Sequence, residues 1–215
     1  MAFGLKDSWY TLQHILRDKK IEISLEQINR YLELGNAELM RTVYGRVGEE
    51  KGYENDQAIM DALLPFKAIS NITLTSGAGA MPNDYWHKSR MEDFTTGVKI
   101  TFVSSDECER KRNNTITVPS TAYPIVELLD GTFQVYPTTI TKVKFVYLKK
   151  GNVPAIAVKT ENAIQVYDAS SSVEPEWNTP EKFIDLIRII MGYLNIPMTN
   201  DQVLSYTEAK TDKEN

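Results

Sequence analysis

The chain predicts an α+β fold, with helical parts at both ends packed with an antiparallel β-sandwich or β-sheet part in the middle. Three observations carry this. Apolar residues recur at helical spacing before residue 67 and again after 179. Between 70 and 168 the period shortens to two, and the turn chemistry is that of hairpins. The chain reads as helices, then strands, then helices, an order that fits helices packed beside an antiparallel sheet.

The N-terminal elements follow from their caps. Asp7 is expected to cap a short helix with Trp9, Leu12, Ile15 and Leu16 on one side. Ser24-Leu25-Glu26-Gln27 fits a capping box, with Ile23 and Ile28 placed as a hydrophobic staple. Leu25, Ile28, Leu32, Leu39 and Val43 then form an apolar stripe, stopped at Gly45 and Gly48. A third helix is predicted from Asn55, carrying Ile59, Met60, Leu63 and Leu64 up to Pro65.

The middle of the chain reads as strands. Ile72 to Thr75 is one, followed by Ser76 to Pro82 as loop. Asp130-Gly131 between Tyr123–Leu129 and Thr132–Pro137 is a strong hairpin signal, because both turn residues tolerate positive φ. Thr141 to Leu148 is the next strand, with Val143, Phe145 and Tyr147 on one face and Lys142 and Lys144 on the other. Ile164 to Tyr167 is a further short strand.

The closing helices are again marked by caps. Thr179 precedes Pro180 at the first helical position, where a missing N–H costs nothing. Phe183, Ile184, Ile187, Ile190 and Leu194 make a strongly apolar stripe. Thr199-Asn200-Asp201-Gln202 opens a last helix with Val203, Leu204 and Tyr206, and residues 209–215 are expected to fray. No internal repeat is present, so the 215 residues read as a single domain: helical over 5–67, β-rich over 70–168, helical again over 179–208.

Composition narrows the function. Twenty-four basic and 29 acidic side chains leave a net charge of −5. The pI is near 5.2. That balance argues against a dedicated nucleic-acid grip. Mean hydropathy is −0.34, and no apolar run approaches a bilayer span. A single cysteine, Cys108, excludes an internal disulfide framework and a cysteine-built zinc site. With no apolar leader at Met1 to Asp7, the chain is expected to mature in a reducing compartment.

Catalytic constellations are lacking. The two histidines, His14 and His87, are far apart, and neither carries a metal or triad motif. His14 is expected at a helix boundary, and His87 in a loop beside Tyr85 and Trp86. Cys108 stands between Glu107 and Glu109, which would raise its pKa and blunt its reactivity. Gly77-Ala78-Gly79 lacks the lysine-serine pair and third glycine of phosphate-binding loops. The pairs Asp106-Glu107 and Glu49-Glu50 lie in polar, loop-like surroundings. No catalytic, cofactor-binding or metal site is predicted. One electrostatic feature stands out: from Asp130 to Glu161 no acidic residue intervenes, while Lys142, Lys144, Lys149, Lys150 and Lys159 do. Lys142 and Lys144 are either a solvated strand face that discourages edge pairing or a contact for DNA or an acidic partner.

Several segments in their order carry a resemblance. They are the helix Leu25 to Tyr44, the Met81-Pro82-Asn83-Asp84-Tyr85-Trp86-His87 stretch, and Tyr123-Pro124-Ile125 leading to Gln134-Val135-Tyr136-Pro137. Phe145-Val146-Tyr147-Leu148-Lys149, Glu174-Pro175-Glu176-Trp177, Leu194-Asn195-Ile196 and Val203-Leu204-Ser205-Tyr206 follow. Over nearly the whole length this resembles the neck or ring proteins of crAss-like short-tailed bacteriophages. The chain departs from their commonest closing pattern, in which a proline often directly follows the tryptophan. The resemblance implies a gatekeeper-like fold and a structural virion protein without catalytic residues or cofactors, made in the host cytoplasm. It implies twelve-fold rings stacked below the portal, touching other neck or tail rings. Viral DNA would pass along the channel without tight binding.

On this reading Met81 to Met91 and Ser170 to Thr179 are expected to be interface loops presenting Tyr85, Trp86 and Trp177. The competing reading is a β-sandwich module that binds glycan or protein through those three aromatic residues.

Overall fold

The computed structural model describes residues 4–45, 60–161, 164–177 and 179–211. The expected stop at Gly48, the Glu49-Glu50 pair, the third-helix start at Asn55 to Ile59 and the tail beyond 211 lie outside them. The fold is mixed α+β, as expected. The chain divides into two compact units, Met1–Pro65 with Gly151–Asn215, and Phe66–Lys150.

The first unit is helical. Its elements are α1 (Leu5–Asp18), α2 (Leu25–Gly45), α4 (Pro180–Tyr193) and α5 (Asn200–Thr211), with a hairpin of β8 (Val158–Glu161) and β9 (Ile164–Tyr167). Asp7 does not sit at the N-cap of α1. Gly4 does, and Asp7 reaches back from the third helical position to accept the Gly4 N–H at 3.2 Å. The two predicted capping boxes form: Gln27 accepts from the Ser24 N–H and Gln202 from the Thr199 N–H. The apolar stripes are buried as well, Ile28, Leu32, Leu39 and Val43 on α2 and Phe183, Ile184, Ile187 and Ile190 on α4. The helix α5 runs through Thr211, three residues into the stretch expected to fray. The strand-rich stretch read over 70–168 is therefore divided, because β8 and β9 pair only with each other and cluster with the helices.

The second unit is a single seven-stranded sheet, the sheet alternative rather than two facing sheets. Its strands are β1 (Lys67–Thr73), β2 (Ala78–Ala80), β3 (Tyr85–Asp93), β4 (Lys99–Val103), β5 (Ile125–Leu128), β6 (Thr132–Tyr136) and β7 (Lys142–Lys149). The order is β1-β7-β3-β4-β5-β6-β2. All neighbours are antiparallel except β4 and β5. The two end strands are consecutive in sequence and joined by the turn between Thr75 and Ala78, which brings the sheet close to a barrel. The core is Met91, Ile100, Val126, Phe133, Val135, Val143 and Phe145 with their neighbours.

Three sequence expectations are corrected here. Ser76 to Pro82 is not all loop, since Ala78–Ala80 pairs with β6. Small residues hid this strand, and Gly79 is required: a Cβ there would stand 2.4 Å from Cζ of Phe133. Tyr85 to His87 open a strand rather than lie in a loop. Asp106 and Glu107 belong to α3 (Ser105–Arg112), the crossover that makes β4 and β5 parallel. Only Cys108 of α3 is buried, so no apolar stripe announced it. The Asp130-Gly131 hairpin forms as read, with Gly131 at φ +67°.

Candidate interaction surface

Among the described residues no cluster of three metal-ligating side chains occurs, and no helix is long and apolar enough to cross a membrane. Burial, and secondarily Glu127, raise the Cys108 thiol pKa; the sequence neighbours Glu107 and Glu109 are not the cause. His14 packs edge-on against Tyr206 at 5.4 Å on the helical unit. His87 packs against Trp86 at 4.3 Å, and burial lowers its pKa.

The residues expected at an interface do not form one site. Trp177 is 4% exposed, and its indole N–H donates to Asn36 Oδ1 at 2.7 Å. It is a core residue of the helical unit, not an aromatic left in water. Tyr85 is half-buried, its ring 5.7 Å from Phe145 and 6.1 Å from Tyr147. Beside it, Asp84 accepts a 2.8 Å hydrogen bond from the Tyr147 hydroxyl. Burial and that carboxylate push the Tyr147 pKa up to about 12. Trp86 falls at a register shift between the Tyr85–Lys149 and His87–Leu148 pairs, a bulge that changes the direction of its half-buried ring.

Lys142 and Lys144 lie near the opposite end of β7 from Tyr85, which pairs with Lys149; seven residues of strand span about 23 Å. Both lysines are half-buried. Lys142 Nζ stands 3.8 Å over the Phe94 ring. Because β7 lies between β1 and β3, these lysines guard no sheet edge.

The surface that the sequence reading missed lies elsewhere on the sheet unit. After α3 the chain runs through Asn113 to Pro124 before rejoining the sheet, where Thr101 N–H donates to Pro124 O. The Arg112 guanidinium, 4.5 Å over the Tyr136 ring, fixes the start of this stretch. Asn114 Oδ1 accepts from the N–H groups of Ile116 and Thr117, bending the chain. Ile116 is 90% exposed and Tyr123 80%, with Val118 exposed between them.

A second exposed element is β1, an end strand of the sheet. Leu74 N–H donates to Thr141 O. Carried back along the antiparallel register, that bond makes Ile72, Ser70 and Ala68 the residues bonded to β7. Ile69, Asn71 and Thr73 therefore aim their backbone groups at the open side. Ile69 is 60% exposed. One signal could have found both elements: Ala68 to Asn83 and Asn113 to Val126 are long uncharged runs in a chain that is 25% charged.

Compared with protein-family models and with curated proteins, the chain matches none.

Proposed function

We propose that this chain is a structural virion protein, a ring protein in the neck of a crAss-like short-tailed bacteriophage. Copies of it surround a channel below the portal, join head to tail and let the genome pass. It catalyses no reaction. The observation that supports this reading is the apolar side chains that the sheet unit leaves in water: Ile69, Ile116, Val118, Tyr123 and Leu129. Apolar side chains of this kind suit contacts between copies, because subunits in a ring cover one another on two flanks. The net charge of −5 suits a channel wall, because a ring of such subunits repels DNA at long range. Burial of Trp177 removes it from the contact residues expected on the ring reading and from those of the competing glycan-binding reading alike.

The test is the native mass of the full chain, alone and mixed with portal particles of the same phage. A closed multiple of 24.5 kDa, or a portal complex carrying a ring of copies, is expected. A strict monomer that leaves the portal unbound overturns the proposal.

A further inference from the structure

We propose that the β1 edge of one copy receives residues 114–118 of the next copy as an added strand, and that this repeated contact builds the ring. The inference rests on the ring reading above and specifies its contact. An exposed edge strand presents unpaired backbone groups, and proteins normally block such edges with charge, proline or a bulge. Over its seven residues β1 carries one charge, Lys67 at its very end, with no proline and no register shift against β7. Its open side is a template for a strand.

The occupant is identified by a matching defect in the same chain. Thr115-Ile116-Thr117-Val118 is a β-branched run that belongs to no strand, and Pro119 ends it. Threonines and aliphatics alternate, so as a strand it would place Ile116 and Val118 on one face. Beside β1 they would continue the row that Ile69 begins, and the three β-branched side chains would shield one another. Residues 68–73 of β1 and 114–118 are uncharged, so neither stretch brings a carboxylate or ammonium into the contact. On straightening, the Ile116 and Thr117 N–H groups leave the Asn114 side chain, and one of these two successive groups faces the backbone carbonyls of β1 while the other faces away. The donor and acceptor patches differ, so the contact is head-to-tail. Such a contact closes into a ring, or else runs on as a filament.

The experiment uses the full chain with Cys108 kept, since that thiol is buried. Ile69→Cys and Ile116→Cys are made singly and together, and treated with a short bis-maleimide that tolerates a small register offset. A mixture of the two single variants is expected to give a cross-linked dimer, and the double variant a ladder of higher species. Each single variant alone should give neither. Ile116→Asp, at a position too exposed to affect the fold, should weaken self-association by at least about tenfold. Asn71→Pro, which removes an N–H aimed at the open side, should do the same. Both should keep the melting temperature. Dimerisation of Ile69→Cys by itself would show β1 pairing with β1 and overturn the proposal. So would cross-linking of Ile69→Cys to portal or another neck protein. If the unmodified chain forms rings but no 69–116 cross-link appears, the strand contact is wrong and the ring reading stands. If the chain stays monomeric with and without portal, both fail.

Discussion

Trp177 and Asn36 are 141 residues apart in sequence and joined by a 2.7 Å hydrogen bond between buried side chains. Asn36 also donates through Nδ2 to the Asn152 carbonyl at 3.4 Å, so one amide ties α2 to two later stretches of the helical unit. This explains a buried asparagine on an otherwise apolar helix face. Trp177→Phe leaves Asn36 Oδ1 without its donor and should cost about 1–3 kcal/mol. Asn36→Leu should cost a similar amount by stranding the indole N–H. In urea denaturation the double variant should be less damaged than the sum of the two. Strict additivity would show that the bond contributes nothing.

Gly79 faces Phe133 across the β2–β6 pair with no room for a Cβ. Gly79→Ala must displace the Phe133 ring or shift β2, an overpacking penalty of about 1–3 kcal/mol. Phe133→Leu in the same chain should recover part of that loss, although it is itself destabilising. Thermal melts of the three variants check this. An unchanged melting temperature for Gly79→Ala would mean that β2 is not held against the core.

The Tyr206 hydroxyl donates to Asp18 at 2.6 Å, joining α5 to the C-terminal end of α1. Chiefly through that bond, and then through Lys19, the Asp18 pKa is held below its ordinary 3.8. The same bond, with Asp18 as acceptor, raises the Tyr206 pKa above its ordinary 10.0. The lowered carboxyl contributes stability above its unfolded-state pKa and loses it as pH falls through the folded value. The raised phenol contributes below its unfolded-state pKa and loses it as pH rises through the folded value. Docking of α5 should therefore be constant across neutral pH and loosen at both extremes. Amide exchange within α5 reports this, and Tyr206→Phe should abolish both pH dependences. Identical profiles for the two proteins would refute the link.

Duplex DNA should not bind measurably to the isolated chain at physiological ionic strength. Lys142 is engaged over Phe94, which leaves a weak phosphate grip on that part of β7. At low salt any residual association should fall in Lys142→Gln and Lys144→Gln, with a salt slope lowered by about 0.9 per lost phosphate contact. Tight, salt-resistant binding would contradict the channel reading.

Much of the architecture was legible in the sequence because its signals are local. The capping boxes at Ser24 and Thr199, Pro180 at the start of α4 and the Asp130-Gly131 turn each use residues within a few positions of one another. The stripe on α4 and the alternation on β7 are likewise short-range patterns, and they determined which faces are buried. The α3 helix had a local signal too, Ser104 three residues before Glu107 with basic residues in its last turn, but its polar surface offered no periodicity.

Tertiary structure decided what depends on a distant partner. Trp177 carries the same indole whether exposed or buried; only Asn36, brought to it by folding, makes burial of the N–H affordable. Ala78-Gly79-Ala80 has no strand propensity of its own, and it is a strand because Phe133 fills the space its side chains leave. Lys142 and Lys144 are an interior strand's residues rather than an edge guard because β1 and β3 flank β7. The sequence by itself determined the local elements, the buried stripes and the two uncharged runs. Which strand stands at the open edge depended on pairings across many tens of residues, because backbone hydrogen bonds carry no side-chain label and strand order is chosen by the packing of the whole sheet.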